Sequence, residues 1–373
     1  MRVLIVGGGV AGTVTAMALQ RAGHEPVVFE AHPSGGADAG AFLTVMHNGM
    51  DALKAIDADG PVNDASFAAL GVELVGPDGT TMGTREFDTG ELAGPRTLTR
   101  AALYRTLQEE AGRRGITVEH GRRLVSAEPA SAETGASGVV ATFADGSTAT
   151  GDVLVGADGV RSEVRTLIDP EADRPRFTGL TVVYGYTRAE GLPTAPGIYR
   201  MIRGTRAVFG FTTAPDGATF WFARIPDTER PRGEIAAVTP AGWREFAHAA
   251  FDGDPLPCAA IVAATGEAVF GGHSSDVPTT RVWSTDTMVL AGDAAHAASP
   301  AAGQGASMAL EDSVVLALCL RDLPDAPSAF AAYEKLRRTR VEKLVAAGAG
   351  QDVGEERGWL YHHHIDWHGR ITG

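Results

Sequence analysis

Arg2-Val-Leu-Ile-Val6, followed at once by Gly7-Gly-Gly9-Val-Ala-Gly12, is the stretch on which the fold turns. Five residues, mostly apolar and β-branched, predict a buried strand, and the glycines run directly into a segment whose Val14, Met17, Ala18 and Leu19 recur at helical spacing. Gly23 stops that helix, and Pro26-Val-Val-Phe29 predicts a second strand ending in Glu30. In such a β-α-β unit Gly7 allows the tight turn, Gly9 lets the backbone approach a pyrophosphate, and Gly12 lets helix and strand pack closely. The helix N-terminus then offers its free N–H groups to phosphate. Glu30 stands where a carboxylate accepts hydrogen bonds from ribose hydroxyls and repels a phosphate on that ribose. The reading is ADP-ribose binding, set against a glycine-rich turn with a packing role only. The motif alone does not separate FAD from NAD.

Outward from this unit, helical patterns are expected from about Asn48 (Met50, Leu53, Ile56), over 100–112 (Leu103, Leu107, Ala111), from about 304 to 320, and over 328–345. Val139–Phe143 and 148–155, joined through Ala144-Asp-Gly146, read as a hairpin feeding a buried strand. From Leu180 to Phe222 the period changes to short alternating runs, which predicts an antiparallel sheet in a second domain; near 287–291 the chain returns to a buried strand. The fold class expected is therefore α/β, a Rossmann-like domain with an inserted antiparallel-sheet domain and a C-terminal helical segment. The first domain is discontinuous, over 1–72, 95–177 and 275–322, with the inserted domain at 73–94 and 178–274 and the C-terminal segment at 323–373.

The chain has 373 residues, enough for about two domains. Its 32 Lys and Arg against 46 Asp and Glu give a net charge of −14, which argues against nucleic acid and anionic membrane surfaces as partners. No apolar run approaches the roughly 20 residues of a membrane helix, and the glycine-broken start reads as structure rather than as a signal peptide. Two cysteines, Cys258 and Cys319, form neither a disulfide framework nor a metal or redox pair, so the cytoplasm is the expected compartment. The oligomeric state is left open.

Two later motifs bear on the cofactor. Asp152-Val-Leu-Val-Gly-Ala-Asp-Gly-Val-Arg-Ser-Glu-Val-Arg165 ends a strand and turns through Asp158-Gly159, and Gly292-Asp-Ala-Ala-His-Ala-Ala-Ser-Pro-Ala-Ala-Gly-Gln-Gly305 ends another strand before a helix. With these three motifs in this order, the sequence resembles the flavoprotein monooxygenases of the para-hydroxybenzoate hydroxylase type. The resemblance implies that Gly7, Gly9, Gly12 and Glu30 hold the ADP half of FAD. It puts Arg100 near the pyrophosphate and the Gly292-Asp293 pair on the ribityl chain, and links Asp158 to FAD and the nicotinamide cofactor, with Arg161 as a helper. Pro300, Gly303, Gln304 and Gly305 would border the isoalloxazine ring. Electrostatics agrees with that last placement, because a helix N-terminus stabilises the negative charge of reduced flavin.

The activity implied is a monooxygenase that takes hydride from NADPH or NADH as transient co-substrate. Through a flavin hydroperoxide it would insert one oxygen atom of O2 into a small apolar or aromatic substrate, such as a phenol or polyketide-like natural product of secondary metabolism. An FAD-dependent dehydrogenase or reductase without oxygen insertion, and a non-catalytic flavoprotein that binds a reactive intermediate, are the alternatives. No side chain is singled out as acid or base. His296 reads as lying near the cofactor rather than acting on substrate. Of Tyr184, Tyr186, Tyr199, Phe209, Phe211, Phe220, Trp221 and Phe222, about half should line a pocket and the rest face away. His362-His-His364 and His368 read as a solvated C-terminal segment, or a tag-like remnant, rather than a metal site. The loop Ala31–Gly40 lacks the arginine that many members of the resembling family carry there.

Overall fold

The computed structural model describes residues 1–34, 41–87, 94–130, 138–300, 303–348, 358–361 and 363–372. The opening strand Arg2–Val6 lies in the middle of a parallel sheet, paired with Glu25–Glu30 on one side and Val153–Gly156 on the other. Thr117–His120 and Met288–Leu290 form the edges, giving five strands among the described residues. Val3, Leu4 and Ile5 are wholly buried, as expected of a parallel sheet covered on both faces. The helices Val10–Arg21, Arg100–Arg113 and Gly305–Asp322 pack together around it. A hairpin sheet of Leu124–Pro129, Val139–Phe143 and Thr148–Gly151 adds Phe143, whose ring lies 4.6 Å from that of Phe29.

Two glycines set the spacing of this unit. Gly7 has φ of +103°, and a Cβ there would sit 2.4 Å from the carbonyl oxygen of Ala157; one on Gly12 would sit 1.9 Å from the carbonyl oxygen of Gly7. The turn therefore seats the helix on the strand and the strand on the neighbouring loop.

The second unit is a seven-stranded sheet in the order Val269–Asp276, Arg176–Thr187, Thr219–Pro226, Val208–Thr213, Ile198–Arg203, Gly71–Val75, Thr81–Glu86. The expectation of an antiparallel sheet holds except at one junction: Ile198–Arg203 runs parallel to Gly71–Val75. The reason is topological, since Gly71–Val75 enters from an earlier part of the chain rather than through a hairpin. One face packs on the helices Pro240–Phe251 and Cys258–Ala263 through Phe209, Phe211, Trp221 and Ile261. The other, front face carries the alternate residues Phe220, Phe222 and Arg224.

A small sheet of Phe42–Val45, Arg96–Thr99 and Phe67–Ala68 joins the two units. Its Thr44 hydroxyl donates to the buried Tyr199 oxygen at 2.8 Å, and its Phe42 ring lies 5.5 Å from Phe220.

The long helix Ala326–Gly348 is pinned from within by Arg337, fully buried and bonded to both Glu311 and Asp312. The C-terminal segment is solvated only in part: His364 and His368 are exposed, but the apolar residues between them are not. Ile365 and Trp367 are buried, Asp51 accepts from the Ile365 N–H at 2.8 Å and from His364 Nδ1 at 2.9 Å, and the guanidiniums of Arg21 and Arg321 lie 5.1 and 5.3 Å from the centre of the Trp367 ring. Aromatic area and paired carboxylates near Asp51 and Asp322 supply the adhesion that a run of histidines does not reveal. His362 lies outside the described residues.

Candidate active site

The three sequence motifs, far apart in the chain, converge. Gly7 abuts the backbone of Ala157 and Asp158, and a Cβ on Gly292 would come within 2.9 Å of Ala11 Cβ. Arg165 ties the second motif to the third, donating to the carbonyl oxygens of Val160 at 2.7 Å and Ala294 at 2.9 Å. It stands within the central motif, yet its clamping role was not read from sequence, because its partner Ala294 is 129 residues away.

Helix ends define the polar geometry. Among the described residues, five helices have twelve residues or more. Three begin with a side-chain cap, from Thr99, Thr239 and Asp325. The other two, Val10–Arg21 and Gly305–Asp322, pack against each other and begin at Gly9 and Gln304, with no side-chain cap and no acid in the first turn. Their terminal N–H groups and positive dipole ends are left for an acceptor from outside the fold. A Cβ on Gly9 or Gly303 would meet no described atom within 4 Å, so both face open space.

Around these ends lie groups that lack partners. Asp293 carries no hydrogen bond from any described residue, and burial pushes its carboxyl above the usual range against the pull of His296 and Arg100. The backbone at Gly305 lies beside it, since a Cβ there would sit 3.8 Å from Asp293 Oδ1. Gln304 is buried and accepts from Asn48 Nδ2 at 3.2 Å, while Gln304 Nε2 and Asn48 Oδ1 find no partner among the described residues. Pro300 and Gly303 are exposed. Arg100, also exposed, starts a helix and acts electrostatically on both Asp293 and the Tyr184 phenol.

Glu30 accepts from the N–H of Gly8 at 2.8 Å and of His32 at 2.7 Å, which fixes its carboxylate beside the glycine turn with lone pairs to spare. Gln108, not anticipated from sequence, supports the same turn by donating to the Gly8 carbonyl at 2.7 Å. Asp158 accepts from Ser162 and from the N–H of Glu163 and Val164, so its carboxylate caps the helix Glu163–Ile168. Arg161 lies at the surface near Arg232. His296 is buried, paired with Asp312 and stacked on Trp283 at 5.9 Å. Asp312 is pushed up by burial but held by His296 and Arg337 down to about 2. His296 is thus an internal tie. Of the histidines near the C-terminus, His364 is spent on Asp51, and among the described residues no three metal-ligating side chains converge.

The front face of the seven-stranded sheet completes the site. Tyr184, Tyr186, Phe220 and Phe222 stand on it, with Tyr186 and Phe220 edge to face at 4.9 Å, whereas Phe209, Phe211 and Trp221 lie in the opposite core. Burial raises the Tyr184 and Tyr186 phenols above the ordinary tyrosine value.

An unfilled helix-end pair, a half-buried carboxylate without a hydrogen bond from the described residues and an aromatic wall suit a large anionic cofactor beside a small molecule. Comparison with known proteins agrees. Residues 1–181 and 268–347 match the family described as FAD binding domain. The chain is 30% identical over 355 residues to aurachin C monooxygenase/isomerase of Stigmatella aurantiaca, covering 93% of this chain and 87% of that protein. It is 33% identical to a 3-amino-4-hydroxybenzoate 2-monooxygenase of Streptomyces platensis, covering 92% and 85%. The crystal structure of Klebsiella pneumoniae HpxO complexed with FAD and uric acid superposes with a TM-score of 0.83 at 25% identity, covering 94% of this chain and 87% of that one. The chain belongs to the class A FAD-dependent monooxygenase family. FAD is its cofactor, and NAD(P)H and dioxygen are the co-substrates typical of these enzymes. Among the described residues no helix is long and apolar enough to cross a membrane.

Proposed function

We propose that Gly7, Gly9, Gly12 and Glu30 hold the ADP half of FAD, with Arg100 giving positive charge where the two units meet. In this reading Asp293, next to Gly292, receives the ribityl hydroxyls, and Gly303, Gln304 and Gly305, with Pro300 at the rim, border the ring. The observation that carries it is the meeting of two uncapped helix N-termini with Asp293, a half-buried carboxylate without a hydrogen bond from the described residues. Bound FAD supplies hydride acceptance from NADPH or NADH and the activation of dioxygen. The chain's own residues bind, orient and exclude water. The helix Gly305–Asp322 offers its positive end to negative charge on the reduced ring, and the aromatic front face packs the substrate. Asp158 serves by fixing the turn beneath Gly7 rather than by touching a cofactor.

The substrate class is a small aromatic or apolar molecule, of phenol or natural-product type, as in the relatives that act on aurachin C and 3-amino-4-hydroxybenzoate. Two separate cores support a discontinuous FAD domain and an inserted substrate domain, with the C-terminal segment packed into the core of the first. Two free, buried cysteines suit a reducing compartment such as the cytoplasm. The test is turnover with NADPH or NADH and isotopically heavy dioxygen in the presence of aromatic metabolite extracts. One heavy oxygen atom in a product supports the assignment; a product changed only by hydrogens, or no product at all, overturns oxygen insertion.

A further inference from the structure

Arg224 stands on the front face, two residues along its strand from Phe222, with its guanidinium 5.2 Å from that ring's centre. Across the ladder it faces Val182 and Val208, so neither neighbouring strand offers it a polar side chain. Of the other arginines of this sheet, Arg176 is paired with Asp276 at 2.7 Å and Arg200 with Glu73 at 2.6 Å, while Arg85 and Arg203 are exposed to water. Arg224 has no hydrogen bond and no acid among the described residues, although the chain carries 14 more acids than bases. Burial alone pulls its pKa below the ordinary arginine value, so it is a desolvated cation. A guanidinium keeps its charge in proteins, and holding it out of water without a counterion is costly. Phe222 offsets part of that cost through its ring face, and five N–H donors remain unused.

We infer that Arg224 is the counterion for an acidic group on the substrate, so that the preferred substrates are aromatic acids or phenols bound as anions rather than neutral hydrocarbons. The inference rests on the monooxygenase reading and narrows its substrate class. Tyr184 and Phe222, paired across the ladder, would take the ring while the Arg224 fork takes the anionic oxygen. Arg224 is then a specificity residue and performs no proton transfer.

The test titrates the FAD-loaded protein with benzoate, 4-hydroxybenzoate and 2-naphthoate, and with the matching neutral amides. It follows the change in flavin absorbance and the stimulation of NADH or NADPH oxidation. Each acid should bind at least about tenfold more tightly than its amide. Arg224→Gln should bring the acid-to-amide affinity ratio close to one, and Arg224→Lys should restore part of it. Retained FAD in both variants shows that they fold. Equal affinity for acids and amides, an unchanged ratio in Arg224→Gln, or no binding of any acid overturns the inference. Loss of FAD or of NAD(P)H oxidation from the unmodified protein would instead overturn the monooxygenase reading.

Discussion

The glycines of the opening turn are not equivalent, and the difference yields a test at the scale of one side chain. A Cβ on Gly12 would strike a backbone carbonyl, whereas one on Gly9 would point into open space. Gly9→Val is expected to fold with an unchanged far-UV circular dichroism spectrum and to emerge from gel filtration colourless, because its branches fill the place proposed for the pyrophosphate. A yellow, fully loaded Gly9→Val protein would contradict the cofactor placement. Gly12→Val is expected to fail at folding, since a clash with backbone has no rotamer that relieves it. The residue types and spacing of this turn were readable from sequence because each glycine's task is local. Arg165, Gln108 and Arg224 were not, since their partners, or the lack of them, arise only once distant segments meet.

For whole elements, apolar periodicity located the principal helices and strands, including Gly305–Asp322 and the central strand pair. The parallel pairing of Gly71–Val75 with Ile198–Arg203 escaped it, because periodicity says nothing about which distant strand lies alongside. The packed C-terminal segment also escaped, its adhesion depending on Asp51 and Arg321 elsewhere in the chain. The helix ends make a prediction of their own. Ala306→Asp puts a carboxylate in the uncapped first turn of Gly305–Asp322, where it opposes negative charge on the reduced ring. An electrostatic effect of about 0.3–1 kcal/mol corresponds to a midpoint potential lowered by on the order of 6–20 mV for a two-electron couple. Redox titration against a reference dye measures it, and an unchanged or raised potential would place the ring elsewhere.

Over the molecule, the helices Gly305–Asp322 and Ala326–Gly348 are locked by a buried ionic cluster, in which Arg337 bonds Glu311 and Asp312 and Arg340 adds to Glu311 at 2.8 Å. Asp312 is depressed to about 2, below its ordinary value of 3.8. Its contribution to stability is therefore present above about pH 4 and is lost as pH falls through the folded value near 2. Melting temperature should drop over that window, and Asp312→Asn should flatten part of the drop. Arg337→Met takes from Glu311 and Asp312 the buried cation they share, leaving Arg340 and His296 as their remaining partners, and should cost about 3–5 kcal/mol in chemical denaturation. A loss below 1 kcal/mol would show that the cluster relaxes or takes up water.

The interleaved order of the parallel sheet has a consequence for biosynthesis. Arg2–Val6 is made first yet sits at the centre, between strands at 25–30 and 153–156, and the edge at 288–290 brings with it the Gly292-Asp293 pair. At about 5–20 residues per second, that last strand follows the first by on the order of 15–60 s. On the placement proposed above, a nascent chain carries its glycine turn long before the opposite wall of the pocket exists, and FAD would be captured only after most of the polypeptide has left the ribosome. Until then Leu4 and Ile5, wholly buried in the finished protein, are a ready target for chaperones.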